Sequence, residues 1–244
     1  VSEAPPPRRG QGRPPGEARA VLEQLRRVER LRKGGHVEDA LALLDTLIGQ
    51  FPKDARLQLE RGLTLAIGKR AHAEALAPYS AAIALAPSML SARLHRAVAL
   101  AALGRHPEAL DDLDALEAAH YRNQTVVELL RAESLEALGR LADAEGAWTA
   151  ALAADPKSPW LHEQRARVRQ ALGRSHEALA DLDAAVHLTG EELPDPELLR
   201  DRGLLLLQRG DTRRAGEDFR AALAALGGSE EPLTVELRGL LADG

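Results

Sequence analysis

The sequence predicts an all-α fold built by stacking helix pairs, an α-solenoid, and three observations carry that expectation. The first is recurrence. Leu103–Leu116 reads LGRHPEALDDLDAL, and related wording runs from Gly35 (GHVEDALALLDTL), Lys69 (KRAHAEALAPYSAA), Gly139 (GRLADAEGAWTAA), Gly173 (GRSHEALADLDAA) and Gly210 (GDTRRAGEDFRAA). These copies step by 34 to 37 residues, and a unit of that period is one supersecondary element that buries its apolar face only against its neighbours. The second is register: in every copy a small residue is followed, one helical turn later on the same face, by a large apolar one. The third is composition. The chain is 45% hydrophobic but only 2% aromatic, and alanine, leucine, arginine and glutamate, all strong helix formers, dominate it.

Taken in order, residues 1–16 (VSEAPPPRRGQGRPPG) hold almost nothing to bury and are expected as a disordered, partly polyproline-like tail. It could act as a proline-rich ligand, contact an anionic surface through Arg8, Arg9 and Arg13, or be a linker or processing remnant. Residues 17–228 are expected as six helix pairs, and 229–244 as a short capping helix. The first helix should span Glu17–Lys33, with Val21, Leu22, Leu25, Val28 and Leu31 on one side. Gly34-Gly35 should end it in the left-handed conformation that glycine takes cheaply, as Gly104, Gly139, Gly173 and Gly210 should in later units.

Starts are marked too. Pro107, Pro159 and Pro196 suit the first helical position, where a missing N–H costs nothing. The second helix of unit two is expected to be irregular, because Pro78 stands where later copies have Asp112 and Asp181. That unit also carries one extra residue, placed by its wording between Lys69 and Ala75, so the helix should start late, near His72–Glu74, or kink at Pro78. The link LTGEELPDPE lengthens the fifth step. After Gly227-Gly228, a segment over Glu231–Leu241 has Leu233, Leu237, Leu240 and Leu241 to pack on the last pair, as a terminal cap shields the end of a solenoid.

The small positions are Ala40, Ala75, Ala109, Ala144, Ala178 and Ala215. The large ones are Leu44, Tyr79, Leu113, Trp148, Leu182 and Phe219. Seven residues before each turn stands another modest residue (Val28, Gly62, Ala97, Ala132, Ala166, Gly203), and three units stop at Pro52, Pro87 and Pro156. This arrangement resembles the tetratricopeptide repeat, a helix–turn–helix of roughly 34 residues, over about Glu17–Gly227. It departs from that pattern at Gln24, Arg93, Glu128 and His162, where an aromatic is usual, and in lacking the closing proline at Tyr121, Gly190 and Gly227. The resemblance implies a right-handed superhelix with first helices on its concave side, and a non-catalytic scaffold that holds a peptide or helix of a partner protein. Members that clamp a terminal carboxylate use lysine, asparagine and arginine in the groove. Ser91, Leu94, Val98, Leu130 and Gln164 do not supply that set, so no clamp is expected.

Other chemistries find little support. There is no cysteine, which excludes disulfides and cysteine-bound zinc. The eight histidines form no close ligand pair, and no metal or other cofactor is expected. Glycine-rich phosphate loops and nucleophile-elbow serines are absent. Asp111, Asp112 and Asp114, with Asp181 and Asp183, are read as carboxylates early in a second helix, favoured by the helix dipole, rather than as a cation site. With net charge -5 and few aromatics, nucleic acid is not an expected partner. No apolar run approaches the roughly 18 residues of a membrane span. Only four of the 32 basic residues are lysine, which points to a GC-rich bacterial coding sequence. Val1 is consistent with an alternative start or a processed end; the cytoplasm is favoured over the periplasm.

Two features invite a functional reading. An arginine precedes the small first-helix residue in every unit: Arg27, Arg61, Arg96, Arg131, Arg165, Arg202. Such a ladder could bind an acidic peptide along a groove, or it could form ion pairs inside each hairpin with its stems packed on apolar neighbours. Asp112, Asp181 and Asp218 follow sixteen residues after Arg96, Arg165 and Arg202, at matching height on the facing helix, which favours ion pairs. Arg27, Arg61 and Arg131 face Leu43, Pro78 and Ala147 instead and must find other partners. The second feature is the inner register of units three to five: Leu94, Val98, Leu129, Glu133, Trp160, Glu163 and Arg167. Its mixture of apolar and charged groups suits an amphipathic segment, with Trp160 either an anchor at a helix start or ordinary core. An assembly subunit that uses its ends or convex face, self-association included, and the regulatory part of an enzyme complex are the alternative functions.

Overall fold

In the computed structural model, residues 15–190, 194–227 and 232–242 are described, and every regular element among them is helical. All but the last two residues of the expected tail lie outside the described residues, as do 191–193 of the lengthened link, 228–231 and 243–244. The helices are α1 (Pro15–Lys33), α2 (Val37–Gln50), α3 (Ala55–Leu63), α4 (His72–Leu85), α5 (Leu90–Ala102), α6 (His106–Ala118) and α7 (Gln124–Ala137). They continue with α8 (Leu141–Ala154), α9 (Pro159–Ala171), α10 (Ser175–Leu188), α11 (Pro196–Gln208), α12 (Thr212–Ala225) and α13 (Pro232–Ala242). The chain forms two compact units, one through Glu108 and one from Ala109 onward.

Turn chemistry explains the pairing. Gly35, Gly104, Gly139, Gly173 and Gly210 all have φ between 71° and 81°, the left-handed geometry that lets a first helix stop and the chain reverse within a few residues. Unit two has no glycine there, and Arg70 takes the same conformation at φ 55°. Starts follow the capping rules. The Ser158 hydroxyl accepts the Leu161 N–H at 3.3 Å and the Asp195 carboxylate the Glu197 N–H at 2.8 Å, each just ahead of a proline at the first helical residue. Pro107 is instead the second residue of α6.

The extra residue of unit two is not where its wording placed it. Arg70 stands eight residues after Gly62, whereas the corresponding spacing elsewhere is seven. The surplus is taken up inside the first helix, as a π turn over Thr64–Gly68 that continues α3. A π turn absorbs one residue by widening a single turn, which leaves the helix on either side in phase with its packing partners. With the register restored at Arg70, α4 begins at His72 and runs through the buried Pro78 to Leu85.

Packing follows the small–large pattern. Ala40, Ala75, Ala109, Ala144, Ala178 and Ala215 are fully buried, and their large partners one turn later are at most 2% exposed. The first helix compensates for the size of the group it receives. A Cβ added to Gly62 would lie 2.4 Å from the Tyr79 ring, and one added to Gly203 would lie 2.4 Å from the Phe219 ring. Where the large residue is the smaller Leu44 or Leu182, the same core holds Val28 or Ala166 in place of glycine. At Gly62 and Gly203 the missing side chain is thus what lets the ring close against the backbone. In the second unit, α7 packs on α8, α9 on α10 and α11 on α12, and each pair leans on the next through its second helix.

A candidate partner-binding face

The arginine ladder resolves into structure. Both expected pairs that lie within the second unit form. Arg165 donates to Asp181 at 2.6 and 2.9 Å, and Arg202 to Asp218 at 2.6 and 2.8 Å. The same guanidiniums also reach back to the preceding second helix, Arg165 to Thr149 at 3.2 Å and Arg202 to Asp183 at 3.2 Å. Backward contact is the general rule. Arg61 pairs with Asp45 at 2.8 Å, Arg96 donates to Ser80 at 2.9 Å, and Arg131 reaches Asp114 and, at 2.7 Å, Glu117. Arg61 and Arg131, which lack an aspartate in their own hairpin, thus find carboxylates in the one before. Arg27, which no second helix precedes among the described residues, is exposed. Asp114, Asp181 and Asp183 are therefore partners of arginine. No grouping of metal-ligating side chains occurs among the described residues.

Of the proposed groove residues, Leu94 and Val98 lie on α5 of the first unit, half-buried and exposed respectively. The other five lie on first helices of the second unit: Leu129 and Glu133 on α7, and Trp160, Glu163 and Arg167 on α9. On α9 the three fall at spacings of three and four, hence on one face. Trp160 sits in the first turn and is 44% exposed. Its ring meets that of Trp148 edge-on, with centroids 5.6 Å apart and planes at 82°. Trp148 is itself fully buried and anchored, donating its indole N–H to Glu136 at 2.7 Å. Glu136 in turn accepts from Arg167 at 3.2 Å, which ties α7 to α9. Trp160 thus touches the core through Trp148 while 44% of it remains exposed.

Carboxylates gather around Glu163, one turn after Trp160 on the same face. Burial pushes the Glu163 carboxyl above the usual range, and the neighbouring Asp195, Asp201 and Glu197 add to the effect while Arg167 opposes it. Glu133 is raised the same way, by burial and then by Glu136. Arg167 and Arg200, the latter 2.7 Å from Asp201, supply the positive charge on this face. Sequence reasoning missed Glu136, Glu197 and Asp201. The signal was available, since Glu197 holds the register of Trp160 and Glu136 follows Glu133 by one turn on the same face. Chemically the face offers an exposed indole and, on the same helices, carboxyls raised by burial. In the first unit, a separate cluster places Arg32 3.8 Å from Glu60 and stacks His95 on Tyr79 at 6.1 Å. Burial first, and Arg32 second, push the His95 imidazole below its ordinary pKa.

Comparison with known proteins agrees with the architecture. A tetratricopeptide repeat profile matches residues 25–89, 66–122 and 163–230, most of the chain. Human tetratricopeptide repeat protein 13 is 35% identical over 86 residues, a stretch that covers 35% of this chain and only 9% of that protein. Among solved structures, PilW, described as a widely conserved type IV pilus biogenesis factor, is 19% identical with a TM-score of 0.70, covering 88% of this chain and 98% of its own. YrrB, described as a TPR protein with an unusual peptide-binding site, is 17% identical with a TM-score of 0.64, covering 80% and 97%. At such identities the likeness concerns the fold. No described helix is long and apolar enough to cross a membrane.

Proposed function

The chain belongs to the tetratricopeptide repeat family, and from that premise we propose that it is a non-catalytic scaffold that captures an extended or helical segment of a partner protein on the first-helix face of its second unit. The family is one of protein-interaction modules. The finer reading rests on one observation: Trp160 is a half-exposed ring in edge contact with a buried tryptophan, on the same helix face as Glu163 and its cluster of carboxylates. Binding hot spots favour rigid aromatic anchors of this kind. The acidic cluster selects for a segment that places an apolar side chain on Trp160 and a lysine or arginine toward Glu163 and Glu133. Leu129, half-buried on α7, extends the apolar part of the face, and Arg167 limits how many basic residues it accepts. Val98 and Leu94 are proposed as a second contact region on the first unit.

Affinity capture with mass spectrometry identifies the partner, and a Trp160→Ala variant tests the face. Capture should be lost while the melting temperature falls only slightly, because the Trp148–Trp160 contact contributes about 0.5–1.5 kcal/mol beyond area burial. Unchanged capture, or a collapse of the melting temperature, would make Trp160 a core residue and refute the proposal.

A further inference from the structure

The last helix repeats the grammar of a first helix. Arg238-Gly239 on α13 stands 36 residues after Arg202-Gly203 on α11, close to the steps between earlier copies. The helix divides into faces as α11 does. Thr234 and Leu237 are fully buried, and with Leu233, Leu240 and Leu241 they turn α13 toward α12. This is the side on which a first helix meets the preceding repeat. On α11 the other apolar side, Leu199, Gly203 and Leu206, is buried in its own hairpin, where Gly203 receives the Phe219 ring of α12. The corresponding residues of α13 are Val235, Gly239 and Ala242, and all three are exposed. Val235 is 62% exposed, the most open large hydrophobic among the described residues, and a Cβ added to Gly239 would meet nothing within 4 Å.

We propose that this open face of α13 docks an amphipathic helix of a partner protein, one lying antiparallel to α13 with a carboxylate directly followed by an aromatic residue on its apolar stripe. The helix α12 shows what such a face accepts. Its Phe219 ring fills the space that Gly203 leaves, and its Asp218 takes two bonds from the arginine just before that glycine. Gly239 offers the same notch and the exposed Arg238 the same charge. A glycine in a helix interior is a net cost unless another group must come close to its backbone. Among the described residues no second helix is free to cover this face, since their large residues, from Leu44 to Phe219, are all buried. An intact second copy has the same helices engaged in the same way.

The probe is a labelled peptide of residues 210–227, which carries Asp218 and Phe219, titrated against the full chain by fluorescence anisotropy. Binding should weaken by about tenfold or more with Gly239→Leu or Val235→Asp in the protein, and with Phe219→Ala in the peptide. Both protein variants should melt as the parent does, since both positions are open. If Gly239→Leu misfolds, Val235→Asp alone decides. Trp160→Ala should leave peptide binding untouched, which separates this face from the one on α7 and α9. No binding, or binding indifferent to both protein variants, overturns the proposal. A concentration-dependent dimer abolished by Val235→Asp also overturns it, by assigning the face to a second copy.

Discussion

Replacing Asp181 by alanine should destabilise the second unit by about 3 kcal/mol. The carboxylate is 3% exposed and accepts from three side chains: Arg165 at 2.6 and 2.9 Å, Arg169 at 2.8 Å and His162 at 3.3 Å. Both arginine side chains are only 15% exposed, so removing the acid leaves positive charge poorly solvated. Breaking a buried pair from one side typically costs about 3–5 kcal/mol. The lower end applies here, since Arg169 keeps Glu145 at 2.9 Å and Arg165 keeps Thr149. Urea unfolding followed by tryptophan fluorescence is the assay. Both tryptophans of the chain, Trp148 and Trp160, lie in this unit, so the signal reports on it alone. With a slope near 2 kcal/mol/M, the midpoint should fall by about 1.5 M. Asp183, 40% exposed, provides the contrast, and its alanine variant should cost at most about 1 kcal/mol. Joint replacement, Arg165→Met with Asp181→Leu, should recover most of the loss, because no unpaired charge remains. A midpoint shift for Asp181→Ala no larger than that for Asp183→Ala would refute the reasoning.

Further predictions follow from packing, register and charge. Gly203→Ala should cost about 1–3 kcal/mol by thermal melting, because the new methyl meets the Phe219 ring at 2.4 Å; adding Phe219→Leu should restore most of it, as Ala166 coexists with Leu182 in the same core. Deleting Ile67, the 60% exposed residue of the π turn, should leave a regular helix and change stability by about 1 kcal/mol or less, whereas deleting Ala101 from α5 should unfold that region by circular dichroism. The His95 pKa is lowered in the fold, so its contribution is intact above 6.5 and is lost as pH falls toward the folded value, where the unfolded chain binds the proton first. Melting at pH 7 and pH 5.5 should show His95→Gln to be less acid-sensitive than the parent.

Most of the fold was legible because it is written several times. The buried small and large residues follow from a register on which six copies agree, the glycine turns from one that five share and the Arg165–Asp181 pair from one that three share. What was not legible is what happens where copies differ. Wording places the surplus residue of unit two in the turn, since it does not distinguish a longer turn from a wider helix; the spacing from Gly62 to Arg70 holds that information only once Arg70 is seen in the left-handed region. The backward arginine contacts escaped for a similar reason. Reading each hairpin by itself pairs Arg61 with Pro78, while the real acceptor, Asp45, belongs to the previous copy. On the candidate face, Trp160 could be named but its support could not, because the Trp148–Glu136–Arg167 chain joins three helices.

Those backward contacts give the array a direction in time as well as in space. During synthesis the chain emerges from its N-terminus, and repeat domains fold as their parts become available. When Arg61, Arg96 or Arg131 leaves the ribosome, the helix carrying Asp45, Ser80 or Asp114 has already been made. Arg61, Arg131 and Arg202 therefore meet a carboxylate at once instead of holding an unneutralised charge until the next segment arrives. Growth of the gene at its 3′ end would add repeats that anchor on what exists, whereas loss of a repeat from the 5′ end would strand an arginine.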